Sequence, residues 1–100
     1  MLFHVTGARG MVGLEVTRAL GNLGDVHGTD VDDMDVTDLA AVKAVLAARP
    51  PEVMVHLAGL KGNLASQQRP LEFFGVNTVG TVNLLEASRQ VGVKHFVFFS

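Results

Sequence analysis

The chain has 100 residues, 48% apolar and 18% charged, with a formal net charge of -2 and no cysteine. That composition describes a globular chain and excludes disordered and fibrous classes. Without cysteine there is neither a disulfide framework nor a thiolate zinc site, which suits a reducing compartment. The 8 Lys and Arg are dispersed among 10 Asp and Glu, so no basic stripe is offered to nucleic acid, and no apolar run approaches the roughly 18 residues of a membrane span. A cytoplasmic address with no nucleic-acid or membrane partner is expected.

In chain order, the apolar run Leu2 to Thr6 predicts a strand covered on both faces, as in a parallel sheet. From Met11 the apolar positions Val12, Val16, Ala19, Leu20 and Leu23 recur at helical spacing, with Glu15, Arg18 and Asn22 opposite and Gly21 and Gly24 at the end. Val26 to Asp30 predicts a short second strand interrupted by Gly28. Thr37 is placed to cap a helix with apolar positions Leu39, Val42, Val45 and Leu46, which Pro50 and Pro51 halt. Val53 to Leu57 predicts a third strand and Ala58 to Arg69 a loop. Pro70 then opens a long helix with Leu71, Phe74, Val82 and Leu85 on one side, closed by Gly92. Val93 to Phe99 predicts the last strand. Strands alternating with helices specify right-handed βαβ crossovers, hence an α/β fold with a parallel sheet and helices on both faces. Residues 1–100 form one domain without linker or repeat. The sequence stops at Ser100, directly after a predicted buried strand whose edge nothing covers, so the expectation is a truncated portion of a longer protein.

Thr6-Gly7-Ala8-Arg9-Gly10-Met11-Val12-Gly13 joins the first strand to the first helix. The free backbone N–H groups of that helix start therefore point into the turn, where an anion is favoured. Gly7 suits the tight turn, Gly10 lets a pyrophosphate approach the backbone, and Gly13 permits close packing of helix on strand. The spacing is G-x-x-G-x-x-G, which glycines in any tight turn could produce, but Asp30 follows Gly13 by about the 20 residues expected of a ribose-binding acid.

These residues resemble the NAD-dependent epimerase/dehydratase family, the extended short-chain dehydrogenase/reductases, which carry T-G-x-x-G-x-x-G at the N-terminus. The likeness spans the chain. Asp35-Val36-Thr37-Asp38 is similar to the family's D-[IVL]-x-D element on the adenine side, and Val55-His56-Leu57-Ala58-Gly59 to its V-x-H-x-A-[AG] strand end. Asn77 within Phe74 to Thr81, and the closing Val93 to Ser100, complete the match. The resemblance implies a Rossmann-like, NAD-binding domain, the N-terminal portion of a protein whose catalytic and substrate-binding part lies beyond residue 100. It implies cofactor contacts from Gly7, Arg9, Gly10, Met11, Val12, Gly13, Asp30, Asp35, Val36, Leu57, Ala58, Gly59, Lys61 and Asn77. Leu60-Lys61 resembles the Gly-Leu-Lys of UDP-glucose 4-epimerases, where the lysine lies over the cofactor; a surface lysine is the alternative.

Asp30 would accept hydrogen bonds from both adenosine ribose hydroxyls and repel a 2'-phosphate, which argues for NAD. Arg9 pulls toward NADP, because a guanidinium in the turn can pair with that phosphate. The turn also resembles that of the NADP-using GDP-fucose synthases and dehydrorhamnose reductases. No arginine sits near the end of the second strand, so NAD is the favoured cofactor and NADP the alternative. Asp35 and Val36 would flank the adenine, although Asp35 also fits a helix-entry role. His4, His27, His56 and His95 fall on or near four strands and show no metal-ligand spacing; they read as structural. Phe96, Phe98 and Phe99 read as core or sheet-face residues.

The implied chemistry is hydride transfer between a sugar carbon and bound NAD. The tyrosine and lysine that move the hydroxyl proton in such enzymes have no counterpart, since the chain contains no tyrosine, and Ser100 matches only the start of the S-S-x element. No catalytic residue is named, and this chain alone is expected to be inactive. In the full-length protein a sugar-nucleotide substrate is implied, with a homodimer as an option for assembly. The alternatives are an NADP-dependent reductase or epimerase-reductase, and a non-catalytic dinucleotide sensor.

Overall fold

The computed structural model describes residues 1–57 and 70–99. Strand β1 (Leu2–Thr6) is central and pairs in parallel with β2 (Asp25–Thr29) on one side and β3 (Val53–His56) on the other. Strand β4 (His95–Phe98) extends the sheet beyond β3, giving the order β2-β1-β3-β4. Helix α1 (Met11–Gly21) links β1 to β2, α2 (Leu39–Ala48) links β2 to β3, and α3 (Pro70–Val91) precedes β4. The chain leaves β1 toward one edge, then crosses back past it to β3. The connections therefore diverge at the carboxyl ends of β1 and β3, the switch point where open α/β sheets form a crevice.

Alternation along β1 separates two cores. Phe3 and Val5 join Ala8, Val53, Val55 and Leu57 under α1, which contributes Val16 and Leu20. On the opposite face Met54 packs with Met34, Val42 and Leu46 of the α2 side and with Leu84 and Ala87 of α3. The face under α2 and α3 also carries His4, Thr6 and His56, all buried. Helices thus cover both faces, as the alternating pattern predicts.

Several boundaries differ from the sequence reading. Strand β2 starts at Asp25, whose N–H donates to the carbonyl of Met1 at 3.0 Å, and ends at Thr29, so Asp30 stands just outside the ladder. The last strand begins only at His95, because the chain behind α3 turns at Gly92 (φ +78) and Val93 N–H still bonds the Ser88 carbonyl at 3.0 Å. The cap of α2 is Asp38, which accepts the Ala41 N–H at 3.2 Å, and not Thr37. Thr37 is already committed: its N–H and hydroxyl both donate to Asp35 Oδ1, at 2.9 and 2.6 Å.

The largest correction concerns faces. On α3, Leu71, Val82 and Leu85 are 88%, 57% and 48% exposed, whereas Gly80, Leu84, Ala87 and Ser88 are buried; the side chain of Phe74 lies outside the described residues. The small residues allow close helix packing, and a bulky set on the other side misled the periodicity reading. On α1, Val16 and Leu20 do pack inward, but Val12 and Ala19 are exposed, and Leu23 lies exposed beyond the end of the helix. Replacing Leu84 by Ala is expected to destabilise the protein by about 2–5 kcal/mol in urea unfolding. Leu85→Ala should cost less than about 1 kcal/mol; the opposite order would return α3 to the face that periodicity suggested.

Candidate functional site

The turn after β1 is built by its glycines in different ways. Gly7 adopts φ +66, a conformation that a Cβ disfavours. At Gly13 a Cβ would lie 2.0 Å from the Gly7 carbonyl oxygen, so the helix can fold back onto the turn only without a side chain there. At Gly10 the nearest protein atom to such a Cβ is 3.5 Å away, an ordinary contact. The fold itself does not demand glycine at that position.

Gly10 is also the residue preceding α1, with extended backbone (φ -73, ψ 173), no side-chain cap and no acidic residue in the first turn. The amides of Met11, Val12 and Gly13 thus begin a helix whose positive end is not compensated by a carboxylate of that turn. Opposite them stands Asp30, 7% exposed, at the carboxyl end of β2. Its Oδ2 accepts the Arg9 N–H at 3.1 Å and its Oδ1 the Val31 N–H at 2.9 Å. Ala8 N–H donates to Thr29 O at 3.0 Å, stitching the turn to β2 a second time.

Arg9 reaches outward over the segment after β2. Its Nη1 donates to Asp33 Oδ2 at 2.8 Å and its Nη2 to Asp32 Oδ2 at 3.4 Å. Asp33 Oδ2 also accepts the Asp30 N–H at 2.9 Å. That backbone bond, together with the Arg9 guanidinium, holds the Asp33 carboxyl below the usual range, while Asp33 raises Arg9.

At the switch point Thr6 joins β1 to β3. Its Oγ1 accepts the Leu57 N–H at 3.1 Å and shares a 2.7 Å hydrogen bond with His56 Nδ1. One register step back, His4 Nε2 and Thr29 Oγ1 share a 2.8 Å bond between β1 and β2. These histidines bridge strands, in the structural role expected of them. Phe98 lies over the His56 ring, with centroids 5.6 Å apart, and Phe96 packs partly buried on the α3 side.

The site residues inferred from sequence therefore divide into groups. Gly7, Arg9, Gly10, Met11, Val12 and Gly13 form the turn and the start of α1, to which Asp30 is joined through the Arg9 N–H, and Leu57 sits buried just past β3, its N–H held by Thr6. Asp35 and Val36 belong to the segment before α2. The thread from Val36 runs to α3: its carbonyl accepts Asn83 Nδ2 at 2.9 Å, and a Cβ at Gly80 would meet its Cγ2 at 2.6 Å. Thr37 keeps the Asp35 carboxyl below its usual range, first through its hydroxyl and then through its N–H. Asn77 is half-buried on α3, three residues before Gly80 and so on the same side of that helix. Ala58, Gly59 and Lys61, with Ser100, lie outside the described residues. Sequence reasoning missed Thr6, Asp33 and Asn83. Thr6 was signalled by a hydroxyl in an otherwise apolar central strand, and Asn83 by a polar residue beside an apolar stripe; Asp33 was hidden within a run of acids.

A model of the NAD dependent epimerase/dehydratase family matches residues 3–100. The chain belongs to that family. Among its relatives, the UDP-glucose 4-epimerase of Bos taurus is 37% identical over 90 residues, 88% of this chain and 26% of that protein. Among solved structures, a Thermus thermophilus UDP-glucose 4-epimerase in complex with NAD is 28% identical with a TM-score of 0.88, covering 98% of this chain and 37% of that one. A dTDP-4-dehydrorhamnose reductase from Clostridium acetobutylicum is 31% identical with a TM-score of 0.79, covering 95% and 34%. The chain thus spans about a quarter of the length of the curated relatives it matches. No helix among the described residues is long and apolar enough to cross a membrane.

The polar layer gives the domain an acid limit. Burial lowers His4 and His56 from 6.5 to about 4, so between pH 6.5 and 4 the unfolded chain binds more protons than the folded one. Their contribution is complete above pH 6.5 and is lost as pH falls toward 4. Urea titrations from pH 7 to 4 should show stability falling by up to about 3 kcal/mol for each of these groups, with a shallower slope in His56→Asn. An equal slope in the variant would mean that His56 charges freely in the fold.

Proposed function

We propose that this chain is the NAD-binding part of a sugar-nucleotide epimerase or dehydratase that works by transient hydride transfer. The observation carrying the reading is the uncapped amino end of α1, set behind left-handed Gly7 and facing Asp30 across the end of the sheet. That arrangement fits a dinucleotide in each of its parts. The amides of Met11 to Gly13 meet a diphosphate that Gly10 lets approach the backbone, and the carboxylate beside them meets ribose hydroxyls. Family membership and likeness to an epimerase solved with NAD support the same reading.

Asp35 and Val36 would flank the adenine, held to α3 through Asn83 and Gly80. Leu57, followed by Ala58, Gly59 and Lys61, would line the way to the nicotinamide, with Asn77 facing the same cleft. When bound, NAD supplies reversible hydride exchange with a sugar carbon. This chain's residues hold and orient the cofactor; with no tyrosine among its 100 residues, the proton of the sugar hydroxyl is moved from elsewhere. The chain alone binds without turnover, and the whole protein takes a sugar nucleotide in the cytoplasm, a homodimer being one option for its assembly.

Calorimetric titration with NAD tests the reading. Binding is expected, weakened on the order of tenfold or more in both Gly10→Ala and Asp30→Asn. Gly10→Ala should cost the fold less than about 1 kcal/mol, since the protein leaves room for that methyl. NAD affinity untouched by both substitutions would sink the assignment.

A further inference from the structure

NAD and NADP differ at one position, the 2'-oxygen of the adenosine ribose, and an inference about how this chain tells them apart rests on the reading that Asp30 faces that ribose. The Arg9 guanidinium is the cation that the glycine turn brings to this side of the mouth. Left to itself, a planar guanidinium there would bind a 2'-phosphate through paired, charge-assisted hydrogen bonds. Here it is turned onto Asp33 at 2.8 Å, with Asp32 at 3.4 Å as a second, more exposed acceptor.

Asp33 is held for this task by the backbone. The chain turns tightly after β2, with Asp33 N–H and Met34 N–H both donating to the Asp30 carbonyl at 2.9 and 3.0 Å. The turn brings the Asp33 carboxylate back over the start of its own loop, where Oδ2 accepts the Asp30 N–H and the Arg9 Nη1 together. One oxygen therefore ties the ribose-side aspartate to the arginine of the glycine turn. Asp32, by contrast, is fastened by no backbone bond of this kind among the described residues.

We propose that Asp33 is a specificity-determining residue: by holding Arg9 away from the ribose 2'-position, it makes the site select NAD over NADP. A 2'-phosphate entering this mouth meets carboxylates at Asp30, Asp32 and Asp33, and the one guanidinium of the turn is already engaged. Removing the charge at Asp33 while keeping its shape releases that guanidinium. The arginine then becomes a phosphate ligand, and preference moves toward NADP with no new residue introduced.

The test is calorimetry of both dinucleotides against the wild-type protein, Asp33→Asn, Arg9→Ala and the double variant. Asp33→Asn is expected to tighten NADP binding on the order of tenfold, the size of one charge-assisted hydrogen bond regained. The gain should vanish when Arg9 is also replaced. A purely structural role for Asp33 would weaken both dinucleotides alike, and that result overturns the proposal, as does a gain for NADP that survives without Arg9. If the wild-type protein binds neither dinucleotide, the cofactor reading falls and this proposal with it. If NAD binds normally and NADP affinity does not rise in Asp33→Asn, only the role given to Asp33 falls.

Discussion

The unpaired amides at the start of α1 govern the rest of this structure. A helix must begin with N–H groups that its own turns cannot satisfy, and here neither a capping side chain nor a first-turn carboxylate answers them. The parallel sheet aims that end at the crevice between β1 and β3, and left-handed Gly7 lets the chain make the reversal without a Cβ in the way. What would be a local defect in a purely structural domain is, on the proposed reading, a place for an anion.

Keeping that end in register requires ties on both sides. Toward β2 the turn is sewn down by Ala8 to Thr29 and by Arg9 to Asp30. Toward β3 the single hydroxyl of Thr6 carries both Leu57 and His56. Buried polar pairs cost desolvation and contribute modestly to net stability, but they fix geometry because an unmet partner is expensive. The same polar layer that positions the crevice therefore makes the domain sensitive to acid. Site geometry and stability are linked through β1.

Much of this was legible in the chain. The β1 limits, the need for glycine at positions 7 and 13, the inward residues of α2 and the acid after β2 follow from apolar runs, backbone sterics and spacing. The rest depended on choices that local sequence does not record. Thr37 and Asp38 are both good caps, and only the fold of the Asp35 turn onto Thr37 decides between them. On α3 both sides carry apolar residues, and the buried one is picked by small side chains at Gly80 and Ala87 that let α2 and Val36 come close, not by bulk. Within Asp30, Asp32 and Asp33 the composition is uniform. Their separate partners, two backbone amides for one and a guanidinium shared by the others, arise from a tight turn that no periodicity marks.

The most direct test is an amide-resonance titration of the protein with NAD, read residue by residue. The account predicts that the largest shifts fall on the N–H groups of Met11, Val12 and Gly13, with a second set at Asp30 and Val31, all moving at one common affinity. Shifts concentrated away from the α1 amino end, or none at saturating NAD, would contradict it.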